Sequence, residues 1–99
     1  MMLQAIQIKV RSGDYRLSSH AVKRMIEGSI GRLELEEAIL SGEIIEQYGP
    51  DTRGASCLIY GRTNNGRNVH AVVSLSPNVV VITAYEPDAS RWIDYRVRR

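Results

Sequence analysis

An α+β domain, with N-terminal helices packed on one face of a four-stranded antiparallel sheet, is the fold this chain predicts. Apolar residues recur at helical spacing over roughly the first forty positions. From Glu43 onward the pattern changes to alternation rich in Val, Ile and Tyr, broken by turn residues. The breaks are short, and short connections join antiparallel neighbours.

The elements follow in order. Leu3, Ile6 and Val10 stand three and four apart, so residues 2–12 read as an amphipathic helix that ends at Ser12-Gly13-Asp14. Tyr15-Arg16-Leu17 reads as an extended connector. Ser18 and Ser19 are both good N-cap residues for a second helix running to Glu27, closed by Gly28. Val22, Met25 and Ile26 mark its expected buried face, with His20, Arg24 and Glu27 opposite. Gly31, with Glu34 three residues on, starts a third helix whose stripe is Leu35, Ala38 and Ile39; Ser41-Gly42 ends it. Strands are expected over 43–48, 56–63, 67–75 and 79–85. The turns between them are Gly49-Pro50-Asp51, Asn64-Asn65-Gly66 and Ser76-Pro77-Asn78. Glu86-Pro87-Asp88 breaks the last strand, and Ala89 onward reads as a final helical turn carrying Trp92.

The chain has 99 residues, 43% hydrophobic and 24% charged, which fits a single domain over 1–99 and argues against disorder. Cys57 is the only cysteine, so an internal disulfide and a cysteine-based metal cluster are both excluded. Residues 1–10 lack the continuous apolar core of a signal peptide, and no apolar run approaches the roughly 20 residues that cross a bilayer. The expectation is a cytoplasmic protein with no membrane partner. The net charge of +2 is uneven. Setting aside Glu34, Glu36, Glu37, Glu43 and Glu46 leaves 13 basic against 6 acidic residues, about +7. Arg91, Arg96, Arg98 and Arg99 crowd the C-terminal end, a pattern compatible with nucleic acid or an acidic protein. The glutamate-rich face itself reads as solvated structure, with no metal or catalytic work assigned to it.

His20 and Arg24 are four apart and neighbours on one helix face, a spacing shared by phosphate-handling pairs and by plain solvated faces. Alternation in the third strand puts Val69, Ala71 and Val73 on the helix side and His70 on a more polar, open side, near Tyr60, Arg62 and, by register, Tyr85. Two histidines among arginines and tyrosines suit metal-independent cleavage of RNA. The 2′-hydroxyl is the substrate's own nucleophile, imidazoles move the protons, and a guanidinium holds the phosphate. His20, Arg24 and His70 are the minimal catalytic candidates, with Tyr85 added. Lys23, Arg62, Arg67 and Arg91 are the RNA-binding candidates. No cofactor is expected, and His20, Cys57 and His70 match no compact zinc-ligand spacing.

These residues stand in blocks that resemble a known family. Ser18-x-His20-Ala21-x-x-Arg24-Met25-x-Glu27, Glu43-Ile44-Ile45-Glu46-x-Tyr48, Gly66-Arg67-x-x-His70-Ala71-Val72-Val73 and Val81-Ile82-Thr83-x-Tyr85-Glu86-Pro87 resemble the family catalogued as domain of unknown function 4258. The resemblance implies a RelE/barnase-like fold and kinship with small toxins of the RelE, ParE and BrnT kind. It implies a toxin of a toxin–antitoxin system that cleaves mRNA without a metal, with the ribosome as one setting, and a cognate antitoxin on a separate chain, of zinc-finger type in some relatives. Its motif positions fall on His20, Arg24, His70 and Tyr85, with Arg62 and Arg67 nearby. Gly28 stands where the family commonly has arginine, which puts activity in question. The alternative reading is a non-catalytic protein- or nucleic-acid-binding module on the same fold.

Overall fold

The computed structural model describes residues 2–49 and 55–99. Among them the chain forms helices α1 (Met2–Arg11), α2 (Ser19–Glu27) and α3 (Arg32–Leu40). Strands are β1 (Arg16–Leu17), β2 (Glu43–Tyr48), β3 (Ser56–Arg62), β4 (Asn68–Ser74), β5 (Val80–Tyr85), β6 (Trp92–Ile93) and β7 (Val97–Arg98). The mixed α+β class and the three helices agree with the sequence pattern; the sheet does not. It is five-stranded and mixed, in the order β1-β5-β4-β3-β2, because Arg16 and Leu17 pair in parallel with Val80 and Val81. The remaining pairs are antiparallel. The expected helical turn after Ala89 is instead a separate two-stranded hairpin, β6–β7. The expected turn at 49–51 falls largely outside the described residues.

Local chemistry accounts for the helix ends. The Ser18 hydroxyl accepts the Ala21 N–H at 3.0 Å and donates to the Ile82 carbonyl at 2.8 Å, so one side chain caps α2 and ties it to β5. Glu34 reaches back to the Gly31 N–H at 3.0 Å at the start of α3. Gly13 closes the turn after α1 with φ +77°, a conformation that costs glycine little.

The core lies between the helices and one sheet face: Ile6, Val10, Ala21, Met25, Leu35 and Ile39 meet Cys57, Ile59, Ala71, Val73 and Val81. One expectation fails here. Val22 and Ile26, which helical spacing puts on the buried face, are 41% and 74% exposed, and only Ala21 and Met25 of α2 are buried. The helix seats a narrow i, i+4 line on β5 at the edge of the helical layer, so its flanking apolar residues have no second layer to pack against. Helix α3 approaches β3 so closely that a Cβ on Gly61 would fall 1.8 Å from the Ala38 carbonyl oxygen.

Candidate functional site

The register of β3, β4 and β5 sets Tyr60, His70 and Tyr85 side by side on the sheet face away from the helices. The hairpin β6–β7 covers that row. Trp92 packs edge-on against the His70 ring at 4.5 Å between centroids, and Tyr95 stacks on Tyr60 at 6.0 Å. His70 is therefore fully buried, at 0% exposure, where the strand pattern predicts an open, polar face. Alternation reports only which side a residue faces, and the cover comes from a segment more than twenty residues further on.

That burial settles the proton arrangement around His70. Its Nε2 lies 2.7 Å from the Tyr95 carbonyl oxygen, and a carbonyl can only accept, so Nε2 carries the proton. Burial lowers the pKa of the ring and keeps it neutral, so Nδ1 is a bare acceptor. The Tyr85 hydroxyl donates to it across 3.4 Å, a long contact. Tyr85 itself is only half-buried. Burial raises its pKa, while nearby Arg98 and Arg24 pull in the other direction. The Arg24 guanidinium lies 5.3 Å from the centre of the Tyr85 ring.

Tyr85 and Arg24 open onto a cleft of about 630 Å³, also lined by Arg91, Trp92, Arg98 and Arg99, with Glu86, Asp88 and Ser90 at its wall. The two carboxylates already have partners. Glu86 accepts from Arg67 at 2.6 Å, and Asp88 accepts from the Ser90 hydroxyl and backbone N–H at 2.8 and 2.9 Å. Arg98 is braced at the rim by Glu46 at 2.8 Å, and its guanidinium covers the Trp92 ring at 4.8 Å. The cleft thus presents guanidinium groups around a phenol whose hydroxyl is backed by a neutral imidazole. That arrangement can bind a phosphodiester and move a proton beside it.

Of the sequence-derived candidates, Arg24, Tyr85 and Arg91 come together here, with His70 directly behind Tyr85. His20 is exposed on α2 and is not among the lining residues, so the cleft holds no pair of histidines. Lys23 and Arg62 are exposed and likewise outside it. Arg67 is built into the fold. It donates to Glu34 at 3.0 Å, to Glu86, and to the carbonyls of Gly28 and Ser29 at 2.8 and 2.7 Å, holding the end of α2 against α3. Its forked, permanent charge satisfies several acceptors at once, which is a structural reason for an arginine there. Arg98, Arg99 and Trp92 complete the cleft although no motif marks them; the crowding of arginines near the end of the chain signals the first two, and nothing in the sequence signals Trp92. Among the described residues no group of three His, Cys, Asp or Glu side chains gathers as metal ligands. No helix among them is long and apolar enough to cross a membrane.

The sequence model of a family described as a domain of unknown function, DUF4258, matches residues 17–86. That span contains Arg24, His70 and Tyr85 and stops before the hairpin. No curated protein and no solved structure matches the chain.

Proposed function

The chain belongs to the DUF4258 family, and from that premise we propose that it is a metal-independent endoribonuclease that acts in the arginine-lined cleft. The observation that carries the reading is Tyr85, set among Arg24, Arg91 and Arg98 with the bare Nδ1 of His70 behind its hydroxyl. In this reaction the 2′-oxygen attacks phosphorus and the bond from phosphorus to the 5′-oxygen breaks, leaving a 2′,3′-cyclic phosphate. The 2′-hydroxyl proton passes to the Tyr85 oxygen as the Tyr85 proton moves to His70 Nδ1. Water in the open cleft protonates the leaving 5′-oxygen, and the hydroxide so formed takes the proton back from the pair. Arg24 and Arg91 neutralise the charge that builds on the phosphate oxygens. Arg24 and Tyr85 would touch substrate, and His70 would act through Tyr85.

On the RelE-like kinship that the sequence resemblance implies, we extend the proposal to a toxin acting on mRNA, on or off the ribosome, and held in check by an antitoxin protein. Lys23 and Arg62 would contact flanking RNA outside the cleft. Expression of the free protein should arrest growth, and Tyr85→Phe should relieve the arrest. A second reading, an RNA- or protein-binding module without catalysis, is favoured by one observation: both histidines are withheld from the cleft, His70 by burial and His20 by position. Purified protein incubated with single-stranded RNA separates the two. The nuclease reading predicts cyclic-phosphate products and a rate about 10²–10⁴-fold lower in Tyr85→Phe. Tight, salt-sensitive binding with intact RNA would establish the second reading.

A further inference from the structure

Among the described residues, the hairpin β6–β7 pairs only with itself and shares no backbone-to-backbone hydrogen bond with the five-stranded sheet. The one hydrogen bond from its backbone to the body is made by the Tyr95 carbonyl, which accepts the His70 Nε2–H. That carbonyl is aimed by an unusual turn: Asp94 and Tyr95 have φ of 52° and 60°, in the left-handed region that residues with a Cβ seldom occupy. Side chains hold the turn in place. Arg96 pairs with Glu43 at 2.6 Å and lies over the Tyr60 ring, Arg98 pairs with Glu46, and Trp92 closes the gap against the imidazole.

We propose that this hairpin is a positioning element for Tyr85: by fixing His70 as the Nε2–H tautomer, it turns the bare Nδ1 toward the Tyr85 hydroxyl. Without the Tyr95 carbonyl nothing in the row selects a tautomer, since Tyr60 gives its hydroxyl to Asn68 at 2.7 Å and meets His70 only through its ring. The Nδ1–H form would point a donor at Tyr85 and remove the acceptor. Trp92 and the Arg96–Glu43 pair therefore act on Tyr85 at second hand. The catalytic consequence rests on the ribonuclease reading, but the tautomer does not.

Nitrogen-15 NMR of the His70 ring in the full chain at neutral pH tests the proposal without RNA. Wild type should show Nε2 as the protonated nitrogen and Nδ1 as the bare one. In Trp92→Ala and in Glu43→Gln the Nδ1–H form should appear, and the charge swap Glu43→Arg with Arg96→Glu should suppress it again. If Glu43→Gln also lowers the RNA cleavage rate while RNA affinity stays within about twofold, as for an exposed ion pair away from the cleft, the tautomer is tied to the chemical step. A wild-type ring protonated on Nδ1, or an exclusive Nε2–H form in both single variants, overturns the proposal. Intact RNA beside the expected tautomers would instead sink the nuclease reading alone.

Discussion

At the residue scale, the burial of His70 and the hydrogen bonds of Arg67 tie single side chains to measurable stability. Both sit in motif blocks, and both are spoken for by the fold. A buried, neutral His70 ties stability to pH. The unfolded ring takes its proton near 6.5, and the folded ring only at lower pH. Between those values the unfolded state holds more protons, so stability is full above about pH 6.5 and falls as the solution is acidified through that window. Urea midpoints between pH 7.5 and 5 should drop in wild type and stay flatter in His70→Phe. Arg67→Ala should cost about 1 kcal/mol in urea unfolding, because it breaks the hydrogen bonds to the Gly28 and Ser29 carbonyls and the ion pairs to Glu34 and Glu86, most of them reached by solvent. RNA affinity of the folded variant should fall less than that of Arg24→Ala, because its effect on the cleft comes only through Glu86, which loses its partner at the wall. The glutamates of the middle of the chain also have partners that composition could not reveal. Glu43 and Glu46 neutralise Arg96 and Arg98, and Glu34 neutralises Arg67.

At the scale of the element, helices and long strands were legible because their periodicity is local. Helix α3 has the predicted stripe, and β2 to β5 lie where alternation and turns set them. What failed depends on partners distant in the chain. Two residues, Arg16 and Leu17, carry no strand pattern of their own, and only the edge of β5 makes them a strand. Asp94 tolerates a left-handed turn but Tyr95 does not favour one, and no glycine or asparagine stands beside them, so nothing local announces the hairpin. The apolar residues on the exposed side of α2 look like core because helical spacing identifies an apolar face and not whether a second layer covers it. Ile26→Lys should therefore change stability by no more than about 0.5 kcal/mol, whereas Met25→Ala should cost about 2–5 kcal/mol. The contact of α3 with β3 makes the sharpest demand. Gly61→Ala puts a methyl group into the Ala38 backbone, and with the neighbouring strand fixed by its own ladder the variant should lose more than about 3 kcal/mol or fail to fold, read by circular dichroism.

At the scale of the whole molecule, the helices build one face of the sheet and the C-terminal hairpin finishes the other. The cleft forms where that hairpin, the end of β5 and the exposed side of α2 meet. The family blocks contain Arg24, His70 and Tyr85 but not the cover that groups them at one candidate site, since Arg98, Arg99 and Trp92 lie beyond the matched span. Binding that relies on these guanidinium groups should weaken steeply with salt, and Arg91→Ala should reduce the slope of log affinity against log salt by about 1. The claim that the cleft does chemistry, with Tyr85 as its proton carrier, meets its most direct test in the termini of RNA incubated with pure protein and a chelator. Wild type should yield fragments ending in 2′,3′-cyclic phosphate, and Tyr85→Phe should bind the same RNA and leave it essentially whole. RNA left intact by folded wild type, with and without ribosomes, or cut equally well by Tyr85→Phe, would contradict the account.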